Sequence, residues 1–87
     1  MYEILFTREA QERLAEIAKS DQKSARIIFD HIKRLPELHQ NDPFLKGAHF
    51  KGLKRNRTGR YRFIYRVVEQ GKKIHIITID FRKSIYA

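Results

Sequence analysis

The spacing of the apolar residues changes in the middle of this chain. Between Thr7 and Pro36 the apolar side chains recur every three or four residues, as they do in amphipathic helices. After Gly59 they alternate with polar side chains, which is typical of strands with one buried face. This order, helices followed by a run of strands, predicts an α+β fold in which the helices cover one face of a sheet.

The first half of the chain carries the signals of a short strand and two helices. The alternation in residues 2–6 predicts the strand, and Thr7 is a typical N-cap for a first helix that runs to about residue 19. Ser20 or Asp21 can cap a second helix, which Pro36 should end, and the two helices are expected to form an antiparallel hairpin. The predicted apolar stripes are Ala10, Leu14, Ile17 and Ala18 in the first helix and Ala25, Ile28, Phe29, Ile32 and Leu35 in the second.

The second half of the chain is predicted to supply most of the sheet. Residues 36–49 keep no regular spacing and are expected to form a loop. Three strands are predicted over residues 50–57, 60–68 and 73–79, and the last is β-branched enough to lie at the centre of the sheet. The whole prediction is one domain over residues 1–87, a two-layer α+β fold with a short N-terminal strand, an antiparallel helical hairpin and a three-stranded antiparallel meander. One face of the sheet is then left uncovered.

The positive charge of the chain is concentrated in its second half. The net charge is +9, and residues 1–43 hold seven Lys and Arg against eight Asp and Glu, whereas residues 44–87 hold twelve against two. This imbalance predicts a polyanion-binding site, and the alternative is a basic surface that only keeps the protein in solution. Strand alternation would put Arg60, Arg62 and Arg66 on the uncovered sheet face. The densest run of cations is Lys51, Lys54, Arg55, Arg57, Arg60, Arg62 and Arg66.

The residues needed for many kinds of chemistry are absent from this sequence. It has no cysteine, which excludes disulfides, thiolate nucleophiles and cysteine-ligated zinc and suits a reducing, cytoplasmic environment. The four histidines have no helical pairing and no clustered carboxylates beside them, so no metal site is predicted. The four glycines are scattered and form no phosphate loop, so no cofactor is expected. The longest apolar run is three residues, too short to span a membrane.

Arginine, lysine and tyrosine remain as candidates for chemistry. They can support the cleavage of RNA, because the substrate supplies its own nucleophile, the 2′-hydroxyl group. The protein then has to position the phosphate, stabilise its developing charge and move protons, and a guanidinium group can bind two phosphate oxygens at once. Among so many cations Tyr86 is a candidate base, and the alternative is that it packs at the edge of the core.

Short motifs in a fixed order connect the basic half to a known family. A Lys-Gly-Leu sequence at residues 51–53 is followed by alternating cations, then by Gly-Arg-Tyr-Arg at residues 59–62 and by Tyr65. Near the end of the chain, Arg82 precedes Tyr86 by four residues. With the strand and helical hairpin before them, these motifs resemble the RelE/ParE superfamily of bacterial and archaeal type II toxins.

The resemblance implies a ribosome-dependent endoribonuclease that cleaves mRNA in the decoding (A) site and is inhibited by a cognate antitoxin, expected to be acidic. Arg62 matches the arginine that contacts the scissile phosphate in RNA-cleaving members, Arg82 a C-terminal arginine, and Tyr86 a tyrosine that stacks on a base or acts as general base. Phe81 replaces the His or Lys of many members, which leaves the proton donor unassigned. The implied catalytic residues are Arg57, Arg62, Arg82 and Tyr86, and the implied RNA-binding residues are Lys51, Lys54, Arg55, Arg60, Arg66 and Lys83.

Two other functions are compatible with the same sequence. ParE-like members of the superfamily inhibit DNA gyrase and typically lack the catalytic arginines and tyrosine, so the presence of Arg62, Arg82 and Tyr86 favours the nuclease. A plain RNA-binding module would bind with an affinity that falls as salt rises and would not cleave.

Overall fold

Three helices and four strands make up residues 1–81, the part of the chain that the computed structural model describes. The site candidates Arg82, Lys83 and Tyr86 lie outside the described residues. Single 3₁₀ turns occur at His39–Asn41 and Ala48–Phe50. The helices are α1 (Arg8–Ser20), α2 (Gln22–Lys33) and α3 (Leu35–Leu38), and the strands are β1 (Glu3–Phe6), β2 (Leu53–Thr58), β3 (Tyr61–Val68) and β4 (Lys73–Phe81).

The predicted starts of both long helices are confirmed at their caps. The hydroxyl of Thr7 accepts a 3.1 Å hydrogen bond from the N–H of Ala10. The carboxylate of Asp21 accepts a 2.6 Å hydrogen bond from the hydroxyl of Ser24 and a 3.1 Å hydrogen bond from its N–H. These two bonds lower the pKa of Asp21 below its ordinary value. Asp21, rather than Ser20, is therefore the cap of α2.

The inward faces of α1 and α2 are narrower than predicted. Ala18 and Phe29 face solvent, and Phe29 is 44% exposed. Each lies one residue beyond a buried isoleucine, Ile17 or Ile28, which turns it about 100° around the helix axis. The other predicted stripe residues are buried, apart from Leu14, which is partly buried.

The chain forms a further helical turn where a loop is predicted. α2 ends at Lys33, and Pro36 lies in the first turn of α3 instead of ending α2. Proline fits there because the first turn of a helix does not use its N–H groups for helical hydrogen bonds. Leu35 begins α3 and is only 1% exposed. The prediction of a loop over residues 36–49 is therefore wrong for its first part.

The four strands form one sheet in the order β1-β4-β3-β2. The last three strands are an antiparallel meander, as predicted, and β1 lies parallel to β4. β4 is thus an inner strand, which confirms its predicted position. The helices pack on one face of this sheet, so the two-layer α+β prediction is confirmed. The sheet contributes to the core Tyr61, Phe63, Tyr65, Ile74, Ile76 and Ile79.

A β-bulge interrupts the pairing of β3 with β4. Ile64 lies opposite Thr78, but the next pair skips Ile77. The hydroxyl of Thr7 donates a 2.6 Å hydrogen bond to the carbonyl of Ile77, so the start of α1 fixes the bulge. The bulge turns Ile77 and Thr78 toward one cavity on the other side of the sheet.

Candidate nucleic-acid interface

The sheet face that turns away from the helices carries arginines in rows across the strands. Residues directly opposite each other on neighbouring strands share a face. Arg57 of β2 lies opposite Arg62 of β3, which in turn lies opposite Asp80 of β4. The pairing therefore brings Arg57 and Arg62 side by side. We call this surface the outer face, and we define it by Leu53, Arg55, Arg57, Arg62, Ile64, Arg66, Thr78 and Asp80.

The arginines of the outer face differ in their exposure to solvent. Arg57 and Arg66 are exposed, Arg55 is half-buried and Arg62 is only 2% exposed. A buried guanidinium acts through a medium of lower effective dielectric than water, so a neighbouring anion feels its charge more strongly. The alternation predicts the correct face for Arg62 and Arg66 but not the burial of Arg62.

Two further predicted cations lie in turns. Lys51 lies in the turn before β2, is exposed, and its carbonyl accepts a 3.4 Å hydrogen bond from Nη2 of Arg66, so its side chain is accessible to a polyanion that crosses the outer face. Arg60 lies in the turn between β2 and β3 rather than on the strand, is exposed, and its charge acts on Asp21 at the start of α2.

Lys54 lies on the opposite side of the sheet from these cations. It is 6% exposed, and its ammonium group donates a hydrogen bond to the carbonyl of His39. The ammonium nitrogen also lies 4.9 Å from the centre of the Phe44 ring. This placement corrects the prediction that Lys54 belongs with the RNA-binding cations. The reason is strand alternation, which turns Lys54 inward when its neighbour Arg55 points outward.

A cavity of about 690 Å³ adjoins the arginines on the outer face. One wall is the segment 43–46, which runs antiparallel to β2: the N–H of Leu45 donates to the carbonyl of Leu53 at 2.8 Å, and the N–H of Arg55 donates to the carbonyl of Pro43 at 3.2 Å. The apolar lining is Pro43, Phe44, Leu45, Phe50, Leu53, Ile64 and Ile77. Lys46, Arg55, Thr78 and Asp80 add charged and polar groups.

The aromatic residues near this cavity have no role in the sequence-based prediction. Phe50 is 46% exposed, and Phe44, which is 64% exposed, lies opposite Lys54 with its ring on that side of the sheet. Phe44 belongs to the stretch without regular spacing, where an apolar side chain gives no periodic signal. Phe50 is predicted to begin a strand, whereas it ends a 3₁₀ turn and the strand begins at Leu53. The one available signal is that Phe44 follows a turn sequence, Asn-Asp-Pro, at residues 41–43.

The inner face of β2 is joined to the chain before it by a network of polar side chains. The carboxylate of Asp42 accepts hydrogen bonds from the hydroxyl of Tyr65 at 2.6 Å and from the amide of Asn56 at 2.9 and 3.2 Å. The amide oxygen of Asn56 in turn accepts a 3.0 Å hydrogen bond from the hydroxyl of Thr58 and lies 3.2 Å from Nδ1 of His31. Burial and the contact with Asp42 raise the pKa of Tyr65 well above its ordinary value. The network holds the start of the segment that bears Phe44.

Asp80 of the outer face and its neighbour Phe81 contact other parts of the molecule. One carboxylate oxygen of Asp80 lies 3.6 Å from Nη1 of Arg13 on α1, and the other accepts a 2.8 Å hydrogen bond from the N–H of Phe81. The ring of Phe81 stacks on Tyr61 with 4.8 Å between centroids. Phe81 therefore fills an apolar role here and has no proton to transfer.

Within residues 1–81, no three His, Asp or Glu side chains are grouped as metal ligands would be. Over the same residues, no helix combines the length and the apolar composition needed to cross a bilayer.

Comparison with known proteins identifies the family. Residues 4–86 match the family described as the ParE toxin of the type II toxin-antitoxin system parDE. The chain belongs to this family. No curated protein matches the sequence.

Solved structures with the ParE-family fold cover almost the whole chain. The YoeB/ParE toxin from Agrobacterium tumefaciens is 23% identical with a TM-score of 0.79, over 94% of this chain and 99% of that one. The RelBE2 toxin-antitoxin complex from Mycobacterium tuberculosis is 25% identical with a TM-score of 0.65, over 93% of this chain and 98% of that one. The chromosomal ParDE system from P. aeruginosa is 21% identical with a TM-score of 0.72, over 93% of this chain and 96% of that one. The protein is thus a type II toxin of the RelE/ParE superfamily, as its motifs imply.

Membership in the ParE family does not by itself specify the activity. Structures similar to this ParE-family toxin carry the names YoeB and YafQ as well as ParE. One fold can carry different functional sites. The activity therefore depends on the side chains that the fold presents.

Proposed function

We propose that this type II toxin is a ribosome-dependent endoribonuclease that cleaves mRNA. The proposal is supported above all by the row in which Arg57 lies opposite Arg62. Arg57 is exposed, so its guanidinium group can bind phosphate oxygens directly. Arg62 is 2% exposed and would add positive charge from a buried position, so the row is suited to a phosphodiester.

The chemistry requires a nucleophile, stabilisation of charge and two proton transfers. The 2′-oxygen attacks the adjacent phosphorus, the bond from phosphorus to the 5′-oxygen breaks, and the products are a 2′,3′-cyclic phosphate and a 5′-hydroxyl. Arg57 and Arg62 would stabilise the added negative charge on phosphorus, and one preorganised donor of this kind is worth about 10²- to 10³-fold in rate. Tyr86 is proposed to take the proton of the 2′-hydroxyl, and Arg82 to add positive charge. Because Phe81 cannot protonate the 5′-oxygen, that role falls to another group.

The remaining cations would hold the RNA on either side of the cleaved bond. Lys51 and Arg66 are exposed next to the arginine row, and Arg60 is exposed in the turn between β2 and β3; all three can contact further phosphates. Arg55 is half-buried beside them, and Lys83 is proposed to act from the C-terminal end. Such contacts give affinity without base specificity.

A cognate antitoxin is proposed as the protein partner. Two of the similar structures are named as toxin-antitoxin systems, RelBE2 and ParDE. For this chain we propose an acidic antitoxin, because it would have to neutralise the cations of residues 44–87. Toxin and antitoxin would meet in the cytoplasm, where mRNA is translated.

Inhibition of DNA gyrase is the second candidate function. It is favoured by one observation, the match of residues 4–86 to the ParE family description. It would require no RNA cleavage and no role for Arg57 or Tyr86. Brief expression separates the two: a nuclease stops translation before DNA damage signalling begins, and a gyrase inhibitor does the reverse.

The deciding experiment maps mRNA ends by primer extension after brief expression, and again with purified toxin in the presence and absence of ribosomes. We expect cuts with the parent protein and their loss in Arg57→Ala, Arg62→Ala and Tyr86→Phe. Arg57→Ala is the most informative variant, because its exposed side chain can be removed without opening the core. Arg8→Ala on α1, an equal loss of charge at a side chain that is 90% exposed, is the control. Undiminished cutting by both Arg57→Ala and Tyr86→Phe would refute the assigned site.

A further inference from the structure

The cavity beside the arginine row is lined by an aromatic ring that the proposed cleavage reaction does not use. Phe50 is 46% exposed and lies in the cavity lining. Exposed apolar surface that lines a cavity marks a binding site more often than chance placement does. Hydrogen bonds between segment 43–46 and β2 hold one wall of the cavity, whereas Phe44 pairs with Lys54 and turns its ring to the Lys54 side of the sheet. The wall is therefore built before any ligand arrives.

The cavity lies next to the pair of arginines that would hold the scissile phosphate. Ile64, in its lining, is two residues from Arg62 along β3, and Arg55, also in its lining, is two residues from Arg57 along β2. Two residues of a strand span about 7 Å. A base attached to the ribose beside that phosphate can therefore reach the cavity.

The charges around the cavity indicate which ligand fits it. Lys46 and Arg55 favour a polyanion, whereas the carboxylate of Asp80 in the same lining disfavours an acidic peptide. A nucleobase meets both conditions, since its phosphates are anionic and an exocyclic amino group can donate to a carboxylate. Asp80 retains acceptor capacity for such a bond, because a carboxylate has about four lone-pair sites and its two described contacts are those with Arg13 and Phe81.

We propose that the cavity between Phe50 and Asp80 is a nucleobase subsite that takes an unstacked base next to the scissile phosphate and favours cytosine over uracil there. Single-stranded RNA is commonly read in this way, by stacking on aromatic rings and by hydrogen bonds to base edges. Cytosine and uracil have the same size, but only cytosine carries the amino group that Asp80 can accept from. This assignment rests on the proposed function for its position along the RNA, although base binding itself does not depend on cleavage.

The test uses purified full-length toxin and 2′-O-methyl hexanucleotides of cytosine or of uracil, labelled for fluorescence anisotropy. These oligonucleotides cannot be cleaved, because their 2′-oxygens are blocked. We expect the parent protein to bind the cytosine hexamer roughly tenfold more tightly than the uracil hexamer. Phe50→Leu should weaken binding of both by roughly fivefold or more, the usual effect of removing a ring on which a base stacks. Asp80→Asn should reduce the preference for cytosine while leaving the uracil affinity nearly unchanged.

The control is Phe29→Leu, which removes a ring of similar exposure, 44%, from α2 outside the cavity. It should bind both hexamers as the parent does. Equal affinity of the parent and of Phe50→Leu would overturn the subsite, even if mRNA is still cut in cells. Weakened binding of an antitoxin peptide together with unchanged RNA affinity would overturn it too, and would assign the cavity to protein docking. Conversely, base-dependent binding without any cleavage would support the subsite and refute the nuclease proposal.

Discussion

The hydroxyl of Tyr65 donates a 2.6 Å hydrogen bond to the carboxylate of Asp42, which lies 23 residues earlier in the chain. Tyr65 is fully buried on the inner face of β3, and Asp42 follows the 3₁₀ turn after α3. One contact thus ties the core to the segment that forms a wall of the candidate base subsite. Its effects can be tested without any knowledge of the substrate.

Tyr65 should make the folded state lose stability in alkali. Its pKa is raised in the folded protein, so the unfolded chain is the state that releases this proton once the pH passes about 10, the ordinary value for tyrosine. The contribution of Tyr65 to the free energy of unfolding is therefore fully present below about pH 10 and is lost as the pH rises further. We expect the free energy of unfolding in urea to fall less steeply between about pH 9.5 and 11 in Tyr65→Phe than in the parent. Equal slopes would contradict this.

Substitution of Lys54 should lower stability, whereas substitution of Arg57 should weaken RNA binding. Lys54→Ala removes a buried donor to the carbonyl of His39, and we expect it to lower the free energy of unfolding by about 1–3 kcal/mol. Arg57→Ala should change stability by less than about 0.5 kcal/mol but reduce the salt dependence of RNA affinity by about 0.7 in log–log slope. Urea unfolding and salt titrations of RNA binding measure the two effects. If Lys54→Ala alone weakens RNA binding, the inward placement of Lys54 is wrong.

Thr7 should stabilise the folded protein through two hydrogen bonds. It caps α1 by accepting from Ala10 and donates to the bulge carbonyl of Ile77. Thr7→Ala should lower the free energy of unfolding by about 1–2 kcal/mol, the typical cost of losing a helix cap. Thr7→Ser keeps both hydrogen bonds and should remain within about 0.5 kcal/mol of the parent. An equal loss in both variants would assign the effect to the methyl group instead.

Gly47 should resist substitution because of its backbone conformation. Its φ of 106° and ψ of 150° lie in a region that is essentially confined to glycine, so Gly47→Ala should cost about 1–3 kcal/mol. The added Cβ would meet Phe50 at 3.5 Å, an ordinary contact, so crowding is not the cause. Gly59→Asn is the control, because φ there is 61°, asparagine tolerates that region, and no described atom lies within 4 Å of the added Cβ. Thermal unfolding of the two variants gives the comparison.

The sequence predicts the parts of this fold that depend on local signals. The caps at Thr7 and Asp21 and the two faces of β3 follow from residue type and spacing, which act over a few residues. The pairing of β1 with β4 and the inward position of Lys54 depend on contacts between distant segments. In β2 the inner residues are polar, so no apolar alternation shows which side of that strand faces the helices. The candidate base subsite could not be predicted for a related reason, because Phe50 lies in a 3₁₀ turn and not in the strand predicted to begin there.

The polar inner face of β2 also has a consequence for how the arginine row behaves over time. Lys54, Asn56 and Thr58 hold this strand by hydrogen bonds, whereas β3 and β4 are held by buried apolar side chains. Segments with little apolar burial are the ones that open locally while the rest of a protein stays folded. A polyanion that bridges Arg57 and Arg62 would oppose that opening, because a ligand that binds only the closed form stabilises it. Substrate capture and closure of this strand are then a single coupled equilibrium, and the protein would be most rigid when its site is occupied.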